Sequence, residues 1–306
     1  MADTASIEIR PARRRDAAGL AALLHATAPG SAAAAADAFF LGDLGNRVVA
    51  VSGTEIVGAV LVLPGAGHCA GITPPQMLEW DAALAARLCG AAAALAWRRR
   101  RARLIQAMIP PEGASPLAAA LERAGFEVLA TLSYMRRPGQ PHDRILEPPA
   151  GLRWQCYSRL RHRKFARTIV ATYEKSLDCP GLTGLRPVSD TMATHKHTGR
   201  FTPQAWRIAL ADDTPLGVAM VNDLQDRGEL VYLGVVPPSR GRGIGRALLD
   251  RAIRDSAQMG RSQMGLAVDV ANTPAMRLYA GAGFNEIRRR VAYFIPRERL
   301  ESLALE

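Results

Sequence analysis

Two short segments of this chain recur in the same order at nearly one spacing. Gly58-Ala59-Val60-Leu61-Val62 resembles Gly217-Val218-Ala219-Met220-Val221, 159 positions further on, and Ala124-Gly125-Phe126 returns as Ala282-Gly283-Phe284 after 158. A shared offset of about one domain length is the mark of a tandem duplication. Each Ala-Gly-Phe closes a helical pattern and precedes an apolar segment containing a tyrosine, Tyr134 or Tyr293. The 306 residues are therefore expected to form two domains, 1–138 and 151–306. The connection, 139–150, is flanked and punctuated by Pro138, Gly139, Pro141, Pro148, Pro149 and Gly151, a linker composition.

The expected fold class is α/β (α+β), with helices and strands mixed in each half. The first half reads as strand 7–10, helix 16–26, a hairpin of 47–51 and 57–63 around Ser52-Gly53-Thr54-Glu55, helix 81–99, strand 104–108, helix 116–124 and strand 127–135. The second reads as helix 159–173, strands 206–210, 216–221 and 229–236, helix 243–259, strand 264–268, helix 274–282 and strand 291–295. An extra segment, 176–201, interrupts the second half and reads as a long loop holding Cys179, His195 and His197.

Composition bounds the partners. Hydrophobic residues make up 48% of the chain, enough for two cores, and the four cysteines have no paired spacing, which suits thiols in a reducing compartment. The first residues lack the apolar stretch of a leader, and the most apolar run, 88–97, is about half of the roughly twenty residues a bilayer requires. A cytoplasmic protein that does not enter the membrane is the expectation. The net charge of +11 lies mostly in the second half, which has 25 basic against 17 acidic residues, compared with 14 against 11 in 1–138. Such a field attracts anions. Aromatic residues are only 6% and do not alternate with basic clusters, which argues against nucleic acid as the anion. The run Arg98–Arg101 ends a helical pattern, where cations complement the helix dipole. Neither His68 with Cys69 nor His195 with His197 has the further ligands a metal site needs; the latter two read as a surface-loop pair.

The chemistry is concentrated in 229–250, ELVYLGVVPPSRGRGIGRALLD. A β-rich run is stopped by Pro237-Pro238, and Arg240-Gly241-Arg242-Gly243-Ile244-Gly245 then leads directly into an amphipathic helix with Arg246 in its first turn. Glycines let a backbone approach a ligand closely, and the amides and dipole of a helix N-terminus attract phosphate oxygens. No Lys-Ser/Thr follows, so this is not a Walker A loop, and the glycine spacing is not that of a dinucleotide fingerprint.

The stretch from Val235 to Gly245 (V-x-P-x-x-R-G-x-G-I-G) resembles motif A of the GNAT superfamily of acyl-CoA-dependent N-acyltransferases. Asn272-Thr273-Pro274-Ala275-Met276-Arg277-Leu278-Tyr279, ending in Gly283-Phe284, is similar to that family's second block. The resemblance implies two tandem GNAT-like domains, each a mixed, mostly antiparallel sheet flanked by helices, and acetyl-CoA as donor, with no metal. Its diphosphate would lie on the amides of Arg240, Gly241, Arg242, Gly243, Ile244, Gly245 and Arg246. Its pantetheine would follow Leu233, Gly234 and Val235, where a bulge splays the strands. The Val235 amide would polarise the thioester carbonyl, and Asn272 would touch the cofactor. Tyr279 would be the general acid, or else an ordinary core tyrosine. Glu229, which two-residue alternation places on one face with 231, 233 and 235, would be the base, or else a solvated residue at a strand start. Asp223 and Tyr232 would border the acceptor.

The first half looks degenerate. Leu121 stands where Tyr279 would be matched, and Pro64–Trp80 offers no arginine-bearing glycine loop. It is expected to keep the fold without the transfer chemistry. An intact half beside a degenerate one resembles the mycothiol synthases of the same superfamily. The expected function is N-acetyl transfer to a primary amine of a small molecule or peptide by direct attack, the amine and the oligomeric state being open. The alternatives are a non-enzymatic acyl-CoA-binding regulatory module and a basic nucleic-acid-binding protein.

Overall fold

The computed structural model describes residues 7–27, 44–111, 115–140, 143 and 151–303. They form two compact units, Met1–Leu129 with Val291–Glu306, and Ala130–Arg290.

In the first unit β1 (Glu8–Pro11) and α1 (Ala17–Thr27) precede the hairpin of β2 (Arg47–Ser52) and β3 (Glu55–Gly65). β4 (Cys69–Ile72) and β5 (Gln76–Met77), α2 (Ala82–Arg100), β6 (Leu104–Ile109) and α3 (Pro116–Arg123) follow. The strands run β1-β2-β3-β4-β6, antiparallel except for the parallel pair β4–β6, and Val291–Phe294 completes the sheet antiparallel to β6. Alternation along β2 splits the core. Val48 and Ala50 join Leu88, Cys89 and Ala92 of α2, while Val49 and Val51 join Leu20 and Leu23 of α1.

The second unit repeats that plan. It contains most of β7 (Glu127–Pro138), then β8 (Arg153–Cys156), α4 (His162–Tyr173), α5 (Val188–His197), β9 (Trp206–Ala211), β10 (Thr214–Asp223) and β11 (Gly228–Val235). α6 (Ile244–Gln258), β12 (Gln263–Asp269), α7 (Thr273–Ala280) and the first part of β13 (Asn285–Phe294) complete it; α8 (Arg297–Leu303) belongs to the first unit. The order is β8-β9-β10-β11-β12-β7, with β11–β12 the single parallel pair among the described residues of this unit. Both sheets are thus mixed and mostly antiparallel, as the resemblance implies. The expected halves and the compact units differ by one strand each: β7, from the first half, pairs with β12 in the second unit, and the end of β13 pairs with β6 in the first.

Other differences are local. The segment read as a long loop contains α5, whose sequence VSDTMATHKH has little helical patterning. Burial of Met192 against Phe165 and Ile169 of α4 favours the helix instead. His195 and His197 are therefore on a helix, and the His195 ring lies 5.5 Å from that of Tyr232 rather than on a surface loop. β13 begins at Asn285, six residues before the expected strand, because its first half is exposed and polar. Among the described residues no helix is long and apolar enough to cross a membrane.

Candidate active site

β11 and β12 pair over only three positions, Gly228↔Met264, Glu229↔Gly265 and Leu230↔Leu266, although β11 runs on to Val235 and β12 to Asp269. A bulge in β11 accompanies the parting. Against β10, Val221 faces Leu230 and Met220 faces Tyr232, which leaves Val231 without an opposite residue. The bulge thus lies ahead of the expected stretch, Leu233 to Val235. The Val236 amide donates to the Leu216 carbonyl (3.0 Å), so alternation turns the amides of Leu233 and Val235 away from β10, toward the gap.

The bulge also overturns the expected common face of 229, 231, 233 and 235. Leu230 packs in one core with Leu233 and Val235, whereas Val231 and Tyr232 pack in the other. Glu229 therefore lies on the side opposite Leu233 and Val235. Its carboxylate accepts from Arg227 Nε (2.8 Å) and covers Gly265, where a Cβ would come within 2.6 Å of it. Six residues of strand, about 20 Å at about 3.3 Å each, separate it from Val235. A 430 Å³ depression lined by Arg200, Asp223, Gln225 and Arg261 lies at the Glu229 end, since Asp223 pairs with Gly228.

At the other end of β11, Pro237–Ser239 form a tight turn and the chain passes through Gly241 (φ 71°) and Gly243 (φ 79°) into α6. Both glycines occupy the left-handed region that side chains disfavour. Gly243 is the N-cap and offers no capping side chain. The Arg240 amide donates to Pro237 (3.2 Å), but among the described residues the amides of 241–246 have no acceptor; the next bond is from Ala247 to Gly243 (3.1 Å). This run of unsatisfied donors coincides with the positive end of the helix dipole. Gly245 keeps the first turn close to Val235 and to Leu278 of α7.

The three loop arginines differ. Arg240 spends its guanidinium on carbonyls, Val235 (3.1 Å), Lys175 (3.0 Å), Thr172 (3.0 Å) and Glu174 (2.8 Å), so it ties the loop to the end of α4. Arg246 pairs with Asp250 (2.8 Å). Arg242 is exposed and, among the described residues, has no partner.

Tyr279 is buried on α7, its ring edge-on to Phe284 at 5.9 Å. The Phe284 amide donates to the Tyr279 carbonyl (3.0 Å), and Gly283 supplies the left-handed residue of this helix end (φ 86°). The first half ends α3 in the same way, with the Phe126 amide on the Leu121 carbonyl (2.9 Å), so the hydroxyl is what that half lacks. Among the described residues the Tyr279 hydroxyl has no hydrogen-bond partner. Burial, with a smaller contribution from the Asp178 carboxyl, pushes its pKa above the ordinary tyrosine value. Tyr232 is raised likewise by burial, and its hydroxyl meets Thr172 Oγ1 (2.6 Å). Gly234 has no room for a side chain, since a Cβ would stand 2.6 Å from that Oγ1.

Asn272 is the N-cap of α7, accepting from the Ala275 amide (3.3 Å). Asp178 escaped the sequence reading because the loop between α4 and α5 lies outside both motifs, and Cys179 was read there only as part of the 176–201 segment. The Asp269 amide donates to Asp178 (3.2 Å), and the Cys179 amide donates back to the Asp269 carboxylate (3.2 Å). Burial and these two carboxylates push the Cys179 thiol up to about 12.

The first unit shows what its own helix start lost. Met77 pairs with Gly58 as Val235 pairs with Gly217, but only residues 78–81 separate it from α2, whereas 236–243 separate Val235 from α6. The Asp81 carboxylate then caps α2 by accepting the Leu84 amide (2.8 Å). Within the Pro64–Trp80 stretch and the residue after it, the counterpart of the glycine loop is therefore 78–81; Gly65-Ala66-Gly67 lies at the turn between β3 and β4. A helix start already holding a carboxylate repels a phosphate.

Comparison with known proteins agrees with this geometry. Residues 160–284 match the acetyltransferase (GNAT) family. A mycothiol acetyltransferase of Kineococcus radiotolerans is 40% identical over 33% of this chain and 38% of its own length. Another, from Segniliparus rotundus, is 27% identical over 72% of this chain and 84% of its own. The match to the first of these spans well under half of that relative. A solved GCN5-related N-acetyltransferase from Sphaerobacter thermophilus shares the fold, with TM-score 0.60, 22% identity and coverage of 94% and 95%. Residues 160–284, where the splayed strands and the uncapped helix start are found, are the part of this chain that matches the acetyltransferase (GNAT) family.

Proposed function

We propose that the chain transfers an acetyl group from acetyl-CoA to a primary amine by direct attack. The observation that carries this reading is the run of amides, 241–246, left without acceptors at a helix start capped only by glycine, beside the gap between β11 and β12. Those amides fit a diphosphate, and exposed Arg242 adds the charge that Arg240 and Arg246 have committed elsewhere. The edge Leu233-Gly234-Val235 holds the pantetheine arm, with the Val235 amide facing the thioester oxygen, and Asn272 borders the same gap. When bound, the thioester supplies the activated acetyl group.

Tyr279 acts on the departing sulfur. A thiol near 8.5 is a stronger acid than a phenol near 10 by about 2 kcal/mol, and burial widens that difference. Tyr279 therefore stabilises the sulfur through a donated hydrogen bond rather than by giving up its proton. Glu229 is held by Arg227 at the far end of β11, on the face opposite Leu233 and Val235, so no proton transfer from the amine is assigned to it. Cys179 is a poor covalent relay, since a thiol of pKa about 12 is ionised in roughly one molecule in 10⁵ at neutral pH. The first unit holds no acetyl donor.

Calorimetry with CoA and thiol-release assays on an amine panel test the proposal together; the amine used by mycothiol acetyltransferases heads the panel. CoA should bind, and one or more amines should release thiol. No heat from CoA would remove the diphosphate site, and binding without transfer to any amine would favour a regulatory acyl-CoA-binding module.

A further inference from the structure

The loop that leaves α4 is fastened to the proposed active site at several points. Arg240 holds the carbonyls of Thr172, Glu174 and Lys175. Ser176 Oγ accepts the Asp178 amide (3.1 Å). Asp178 then takes the Asp269 amide, at the end of β12. Cys179 follows in the left-handed region (φ 43°), a costly conformation for a residue with a Cβ. Asp178 remains open to solvent.

Its carboxyl acts electrostatically on the phenols of both Tyr279 and Tyr232. The amide that donates to it is that of Asp269, beyond the Leu266 position where β12 parts from β11, which sets Asp178 at the mouth of the gap. The Asp269 carboxylate is spent on the amides of Cys179 and Ala271 (2.9 Å). Tyr279, only 6% exposed, brings a hydroxyl without a partner among the described residues to the same gap.

Resting on the acetyl-transfer reading above, we propose that Asp178 binds the charged amino group of the acceptor at the mouth of the gap beside Tyr279, and that Arg240 is the positioning residue that holds Asp178 there. A solvent-reachable carboxylate fixed by a backbone amide selects an aliphatic ammonium over a neutral hydroxyl or amide of the same shape. The site thereby takes cationic amines, and Arg240 serves the acceptor more than the diphosphate.

The test uses the full chain, CoA calorimetry, and the best amine from a panel of alkylamines, amino sugars and short peptides, with its alcohol isostere as inhibitor. Asp178→Asn should raise the amine KM about tenfold or more while the CoA Kd stays within about twofold, and the alcohol Ki should not move. Asp178→Glu should recover part of the loss. Arg240→Lys should raise the same KM, and combining it with Asp178→Asn should add little. An unchanged amine KM in Asp178→Asn overturns the proposal, as does a parallel loss of CoA affinity in a variant whose melting is intact. Wild-type protein that binds CoA but turns over no amine overturns the reaction itself, an outcome no Asp178 variant is needed to see.

Discussion

At the scale of single residues the site depends on donors that keep their protons. Tyr279 is held neutral by burial, and the sign of that shift fixes its pH behaviour. A phenol whose pKa is raised stays a donor at every pH below its ordinary value near 10 and fails only above it. Any alkaline fall in kcat below pH 10 must come from another group. Tyr279→Phe keeps the ring packed on Phe284 and removes only the hydroxyl. It should lower kcat about 10- to 100-fold, leave the CoA Kd unchanged, and leave the shape of the kcat–pH profile below pH 10 as in wild type. A steady-state profile from pH 6 to 10 checks this, and a kcat equal to wild type would make Tyr279 a core residue.

At the scale of elements the two helix starts differ by one kind of side chain. Asp81 caps α2 with a carboxylate, and Gly243 leaves α6 bare. Gly243→Asp should transfer the closed state to α6, and Gly243→Asn should be its neutral control, since both residues tolerate a left-handed backbone comparatively well. The Asp variant should weaken CoA about tenfold more than the Asn variant by calorimetry, a gap that narrows with added salt. Equal Kd values for the two would mean that no anion lies at this helix start. This element was legible in the sequence because its residue types answer a local demand, glycines for positive φ where the chain enters α6. Tyr279 was legible through the Ala-Gly-Phe helix end five residues later. The position of the bulge was not, because Val231, Tyr232 and Leu233 all suit a strand on either face, so plain alternation misplaced Glu229. Neither was the role of Arg240, three of whose four carbonyl partners are more than 60 positions away. α5 was hidden for a related reason, since Met192 secures it by contacts with α4 rather than by its own pattern.

At the scale of the whole molecule the duplication is not two independent copies. The first half contributes β7 to the unit that holds the proposed site, and the second half contributes the end of β13 to the other. β7 pairs with β12 from Leu132↔Asp269 to Pro138↔Gln263, so without it β12 becomes an open edge. Arg137 on β7 reaches further. Its Nε donates to the Ala282 carbonyl (2.8 Å), at the helix end that follows Tyr279, and its guanidinium forms a buried two-bond pair with Asp143 (2.6 and 2.8 Å). A chain divided between 150 and 151 therefore separates the amide loop and Tyr279 from a strand on which their sheet depends. Fragment 151–306 alone should melt at least about 10 °C below the intact protein, because losing an interior pairing and the Arg137 contact costs several kcal/mol and each kcal/mol is worth about 2–4 °C at this size. Co-expressed with 1–150, it should co-purify and regain CoA-dependent thiol release. If 151–306 alone binds CoA, transfers acetyl and melts like the whole chain, the exchanged strand is dispensable and the halves are separable domains after all. If the first half is needed, its lost chemistry and its retained fold have one explanation: it persists to complete the sheet of its neighbour.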